Sequence, residues 1–109
     1  MANLHRGEID AELDGRKWTL CLTLGALAEL EAAYDGADLL SLAERFSKGR
    51  IAATDAIRIL GAGLRGAGHE TADAEVARMR CDGGAAGLMR VVARLLNATF
   101  APAETESGN

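Results

Sequence analysis

Gly61, Gly63 and Gly66 stand in the order G-x-G-x-x-G, a spacing that in a dinucleotide site lets backbone approach a pyrophosphate after a strand and at the start of a helix. The order here is reversed. The helical residues Ala56 to Leu60 precede the glycines, and no alternation of strands and helices surrounds them, so the pattern predicts close helix packing at Gly61 and Gly63 and termination at Gly66 or Gly68. His69-Glu70 carries two residue types found in zinc-protease helices, but the second histidine is missing and the pair falls in a loop before a cap expected at Thr71. His69 therefore reads as a solvated loop residue, and His5 as a surface residue of the N-terminal lead.

Glu29, Glu31, Asp35 and Asp38 form an acidic stretch. Carboxylates do acid–base work only in a pocket that separates their pKa values, and Glu29 and Glu31 point in different directions on a helix, so a solvated face is expected. Ser41, Ser47 and Ser107 lack a nucleophile-elbow context. Cys21 and Cys81 sit in periodic segments where small apolar residues fit, and read as reduced structural thiols, with a disulfide as the alternative. Two cysteines alone cannot close a four-coordinate zinc site. The residues thus point to no enzyme, no cofactor and no metal.

The elements around these residues follow from apolar spacing. Ile9, Ala11 and Leu13 alternate with acids, Trp18, Leu20 and Leu22 alternate with Lys17, Thr19 and Cys21, and Asp14-Gly15 supplies the positive-φ pair of a tight turn. This is a β-hairpin. Thr23 then caps a first helix with Leu24, Leu27, Leu30 and Tyr34 on one stripe, ended by Gly36. A second helix starts at Asp38 or Ser41, with Leu39, Leu42, Ala43 and Phe46 on one face and Lys48-Gly49 closing it. The third runs from about Thr54 to Arg65 with Ile57, Leu60 and Leu64 inward. A fourth is expected from Ala72 to Cys81, with Val76 and Met79 inward, Arg78 and Arg80 complementing its dipole, and Asp82-Gly83-Gly84 as the break. The last, Ala85 to about Thr99, carries Leu88, Val91, Val92, Leu95 and Leu96 as a broad stripe that Phe100 extends, before Ala101-Pro102 stops it.

With 109 residues the chain suits one domain, and a chain of that size buries roughly 65% of its unfolded surface. Aromatics are 4% of residues and hydrophobics 49%, which suits helices packed through Leu, Ala, Val and Ile better than a β-sandwich. The expected fold class is α+β, mostly α, an N-terminal β-hairpin packed with about five short helices over residues 1–100. Residues 101–109, APAETESGN, read as a disordered acidic tail. A net charge of -4 with interspersed signs argues against nucleic-acid binding, and no apolar run approaches the roughly 20 residues that span a bilayer. A cytoplasmic protein is expected. Trp18 reads as a core plug joining hairpin to helices, with an exposed partner anchor as its alternative.

In order and spacing, RKWTL, LTLGALAELEAAYDGADLLSLAERF and IAATDAIRILGAGLRGAGHE resemble the small tail-assembly-chaperone-like proteins of gene transfer agents, phage-derived particles of alphaproteobacteria, over about Gly7 to Phe100. The family often carries the description of a phage tail tube protein. The resemblance implies tail morphogenesis with the tape-measure protein, the tail tube protein or both as partners, and brings no catalytic residues. Its implied role is an assembly chaperone. The alternatives are a structural tail component retained in the mature particle and a small regulatory or nucleic-acid-binding protein. Leu39 and Phe46, or Leu88, Val92 and Leu95, are the expected partner-binding residues, because hairpin and helices offer more apolar stripe than one small core needs. The same patch could drive self-association.

Overall fold

The computed structural model describes residues 2–3 and 6–100; the reading of His5 and that of the 101–109 tail lie outside them. Strands β1 (Glu8–Leu13) and β2 (Arg16–Cys21) pair antiparallel, with Ile9 opposite Leu20 and Ala11 opposite Trp18. Asp14 and Gly15 both have positive φ, 55° and 73°, the conformation that matches a two-residue turn to strand twist. Among the described residues five helices follow: α1 (Leu24–Ala33), α2 (Leu39–Ser47), α3 (Ala53–Gly66), α4 (Asp73–Val76) and α5 (Gly84–Phe100). The fold is α+β and mostly α, as the sequence leads one to expect.

The caps follow local chemistry. Thr23 Oγ1 accepts from the Ala26 N–H at 3.1 Å, and Asp38 Oδ1 from the Ser41 N–H at 2.8 Å, each satisfying a donor the first helical turn leaves unpaired. Ala52 precedes α3 and has no such acceptor, but the Asp55 carboxylate returns to the Ala52 N–H at 2.9 Å.

Helix α3 is the centre of the molecule, packed on β2, α1, α4 and α5. Its glycines work as the spacing predicts at Gly63, where an added Cβ would lie 2.9 Å from Leu95 Cδ2 and 3.3 Å from Leu20. Gly66 ends the helix and does more, since a Cβ there would fall 2.0 Å from the Cys21 carbonyl oxygen. The core collects Ile9, Leu13, Leu20, Leu42, Ile59, Leu64, Val92 and Leu95, each almost wholly buried.

Several expectations are corrected. Leu24 is 84% exposed: at the first position of α1 it projects off the end of the stripe, and Ala26 joins Leu27 and Leu30 in the core instead. On α3, Ile57 is only half-buried and Ile59 is fully buried. The fourth helix is one turn, not ten residues, and Thr71 does not cap it; Ala72 does, with its N–H donated to Glu75 at 3.0 Å. Beyond Ala77 the backbone leaves the helix for the hairpin, where Cys81 bridges Leu13, Asp14 N donates to Arg80 O at 2.8 Å, and Arg80 N donates to Asp14 Oδ1 at 2.9 Å. A helix through Cys81 would forgo those partners.

Candidate functional site

Among the described residues, three places bear most directly on action outside the chain. The first is the glycine–histidine region. Gly61, Gly63 and Gly66 lie inside α3 or at its last residue, so their space is already filled by Asp73 and Arg65, by Leu95 and Leu20, and by Cys21. No phosphate cradle is formed at a helix start. His69 is half-buried, packed edge-on against the Trp18 ring with centroids 4.9 Å apart, and its Nε2 is buried without a hydrogen-bond partner among the described residues. That corrects the solvated histidine. Trp18, half-buried, also donates from Nε1 to Leu13 O at 3.1 Å, with the Arg16 guanidinium 4.4 Å over its ring. It joins the hairpin to the loop after α3.

The acidic stretch is likewise not one solvated face. Glu29 receives Arg65 Nη2 at 2.7 Å and Nε at 3.2 Å, while Arg65 Nη1 donates to Thr71 O at 2.7 Å and lies 3.1 Å from Asp73 Oδ1. One planar guanidinium therefore ties α1, α3 and the start of α4. No group of three His, Cys, Asp or Glu side chains among the described residues is placed to hold a metal ion. Cys21 lies at the open end of β2 opposite Glu8, and Cys81 at the turn end beside Leu13, so the hairpin's length separates these two free thiols. Burial pushes both thiols above their usual range, reinforced by Glu8 near Cys21 and Asp82 near Cys81, which disfavours the thiolate that a nucleophile needs.

The second place is a polar cluster that joins three helices. Tyr34 donates its hydroxyl to Asp55 Oδ1, Arg45 Nη2 lies 3.7 Å from the same oxygen, and the Arg45 and Arg58 guanidinium carbons each stand 5.1 Å from the Tyr34 ring centroid. Burial pushes the Asp55 carboxyl up, but the hydrogen bonds from Tyr34 and the Ala52 N–H, with Arg45 and Arg58 nearby, outweigh it and hold the group below its ordinary range. Burial and the bond to Asp55 push the Tyr34 hydroxyl up. The pair thus stays as a charged acceptor and a neutral donor, which suits structure better than proton transfer.

Because the folded Asp55 pKa lies below its unfolded value of about 3.9, its stabilisation is complete above that value and is lost as pH falls through the folded one. Urea midpoints measured down from neutral pH should drop below about pH 4. Asp55→Asn should be less stable at neutral pH and show a flatter acid limb. An acid limb identical to wild type would remove Asp55 from this role.

The third place is a groove between α2 and α5, a cleft of about 600 Å³ with Phe46, Ile51, Met89, Ala93, Leu96 and Phe100 among its walls. Its composition is mainly apolar. The five side chains singled out from sequence fall in different places here. Phe46, only 4% exposed, forms the floor, and Leu39, 37% exposed, lies two turns earlier on the same helix. Leu88 lines a smaller neighbouring hollow with Ile57, Leu60 and Met79. Val92 and Leu95 are fully buried in the core.

The stripe on α5 is broader than the expected binding residues capture. Positions 91, 92 and 95 point into the domain, and positions 89, 93, 96 and 100, about 100° further round, line the groove. Met89 and Ala93 were missed because nothing in an amphipathic pattern tells an inward row from an adjacent outward row, and Ile51 because it lies in the link between α2 and α3, outside any helical stripe.

No helix among the described residues is long and apolar enough to cross a membrane. No curated protein sequence matches the chain, and no solved structure does. A family model described as "Phage tail tube protein, GTA-gp10" matches residues 6–102, which takes in the hairpin, all five helices and both walls of the groove. The chain therefore belongs to the GTA-gp10 family of phage tail tube proteins.

Proposed function

We propose that this protein assists tail morphogenesis without catalysing a reaction, as an assembly chaperone that covers apolar surface on the tape-measure protein or the tail tube subunits until they polymerise. The supporting observation is the apolar α2–α5 groove in a chain of the tail tube family. Such a cleft withdraws a partner's apolar side chains from water, at about 25 cal/mol for each Å² removed. The polar clusters at Arg65 and Asp55 serve as internal ties, whereas the groove offers an apolar surface suited to binding.

A second reading, a structural component retained in the mature tail, is favoured by the family's own description as a tail tube protein. Self-association would then be part of the role. Quantitative mass spectrometry of purified particles separates the two. A chaperone should be absent or far below the copy number of tube subunits. Stoichiometric abundance would overturn the chaperone reading and establish the structural one.

A further inference from the structure

The two outer edges of the hairpin are treated differently by the rest of the molecule. Asp14 and Gly15 form a two-residue turn, so Leu13 and Arg16 are the hydrogen-bonded closing pair, and the register makes Ala11–Trp18 and Ile9–Leu20 the next such pairs. The residues between them, Glu8, Asp10 and Glu12 on β1 and Lys17, Thr19 and Cys21 on β2, direct their backbone N–H and C=O groups outward. Along β1 that edge is interrupted throughout. Glu8 N donates to Asn3 O at 3.0 Å, Arg94 Nη2 reaches over to Asp10 O at 2.9 Å, and the segment at Cys81 bridges Leu13 beside the turn.

On β2 the end of α3 closes the edge only at Cys21, whose carbonyl oxygen stands so near Gly66 that a Cβ there would fall 2.0 Å away. Between that contact and the turn, the outward backbone groups of Lys17 and Thr19 have no hydrogen-bond partner among the described residues. Neither side chain shields them. Lys17 is exposed, and Thr19 Oγ1 turns back to donate to Asp10 Oδ1 at 3.1 Å.

An open sheet edge accepts an extended backbone, and we infer that its occupant is the same edge of a second copy, β2 pairing with β2 about a two-fold axis at Trp18. Among the described elements β2 is the strand edge that a second copy has open, and a strand paired with itself about a two-fold runs antiparallel. The axis at Trp18 sets Lys17 opposite Thr19 of the second copy. Each such pair exchanges two hydrogen bonds, so the open N–H and C=O groups of Lys17 and Thr19 are all satisfied in both copies. An axis at Lys17 would place like charges face to face, and one at Thr19 would need the edge at Cys21 that Gly66 closes. A lysine on an edge strand commonly discourages pairing. In this register it faces a threonine, and the product is a sheet ordered β1-β2-β2-β1, four strands in place of a marginal two.

The inference uses neither the apolar groove nor the chaperone role. Sedimentation equilibrium of the whole chain from micromolar to millimolar concentration should show a reversible monomer–dimer step, with a parallel change in the emission of Trp18, the sole tryptophan. Backbone amides of Lys17 and Thr19 should exchange with solvent at least about tenfold more slowly where the dimer dominates. Thr19→Pro removes an outward donor without breaking a bond to β1, and with wild-type circular dichroism it should weaken dimerisation at least about tenfold. Lys17→Thr should strengthen it.

A monomer at every concentration would overturn the proposal, and so would dimers that leave both amides exchanging at the monomer's rate, a result that needs no variant to fold. Dimers abolished by Ala93→Glu and indifferent to Thr19→Pro would assign self-association to the groove instead. Growth beyond the dimer would contradict a two-fold pairing, which closes on itself. Particle stoichiometry bears on none of these outcomes, so the inference and the chaperone reading fail separately.

Discussion

Gly66→Ala is expected to lower the stability of the domain by about 3 kcal/mol or more, a large share of the roughly 5 to 15 kcal/mol that holds a domain folded. An alanine Cβ at this position would fall 2.0 Å from the Cys21 carbonyl oxygen and 3.3 Å from the Ala26 side chain. The obstacle is backbone at the end of a strand, so no rotamer change relieves it. Helix α3 must draw back from β2, its closest strand, and the core beneath must loosen with it. Gly25→Ala supplies the contrast, because the nearest atom to its Cβ would be Thr23 Oγ1 at 3.9 Å. On α1 that change should raise stability by about 0.5 kcal/mol through lost chain entropy. Urea unfolding of both variants checks the pair. A Gly66→Ala midpoint equal to wild type would mean that the contact relaxes without cost.

Leu95→Ala carries the second large effect, a loss of about 2 to 5 kcal/mol. The side chain is fully buried on the inner row of α5, and its Cδ2 stands where Gly63 leaves room, near Leu20. The substitution removes the link between α5, α3 and β2 and leaves a cavity that a rigid helix pair cannot collapse. Gly63→Ala alone should also destabilise, since its Cβ would meet Leu95 Cδ2 at 2.9 Å. Placed together, the added methyl enters the space the leucine vacated, and the double variant should be more stable than the sum of the single losses implies. A double-mutant cycle measures that coupling. Strict additivity would show that the two positions do not share the space the structure gives them.

Much of this was legible in the sequence, where local chemistry decides local structure. Asp14-Gly15 between two alternating runs fixes the hairpin, Thr23 places the start of α1, Asp38 is one of the two starts open for α2, and the long stripe of α5 sets its extent to within a residue. What stayed hidden depends on partners far along the chain. Tyr34 meets Asp55 and Arg65 meets Glu29 across 21 and 36 residues, separations at which spacing carries no information. The segment after Ala77 has helical propensity but gains backbone partners on the hairpin, and tertiary pairing prevails over local preference. The groove was half legible for a similar reason. The width of the α5 stripe shows that the helix has apolar surface to spare, but which row faces inward depends on where α2 and α3 stand.

The bridge from Leu13 to Cys81, with α5 lying against β1, has a consequence for the order in which the molecule can be made. Strand β1 emerges from the ribosome with its apolar side bare, and the helix that covers it is the last of the described elements to follow. Until then the hairpin and α1 can pair only with each other, with α2 and α3 and with the segment through Cys81, so the side of the core that α5 covers stays open for most of translation. The chain thus begins its own existence with apolar surface in need of shelter.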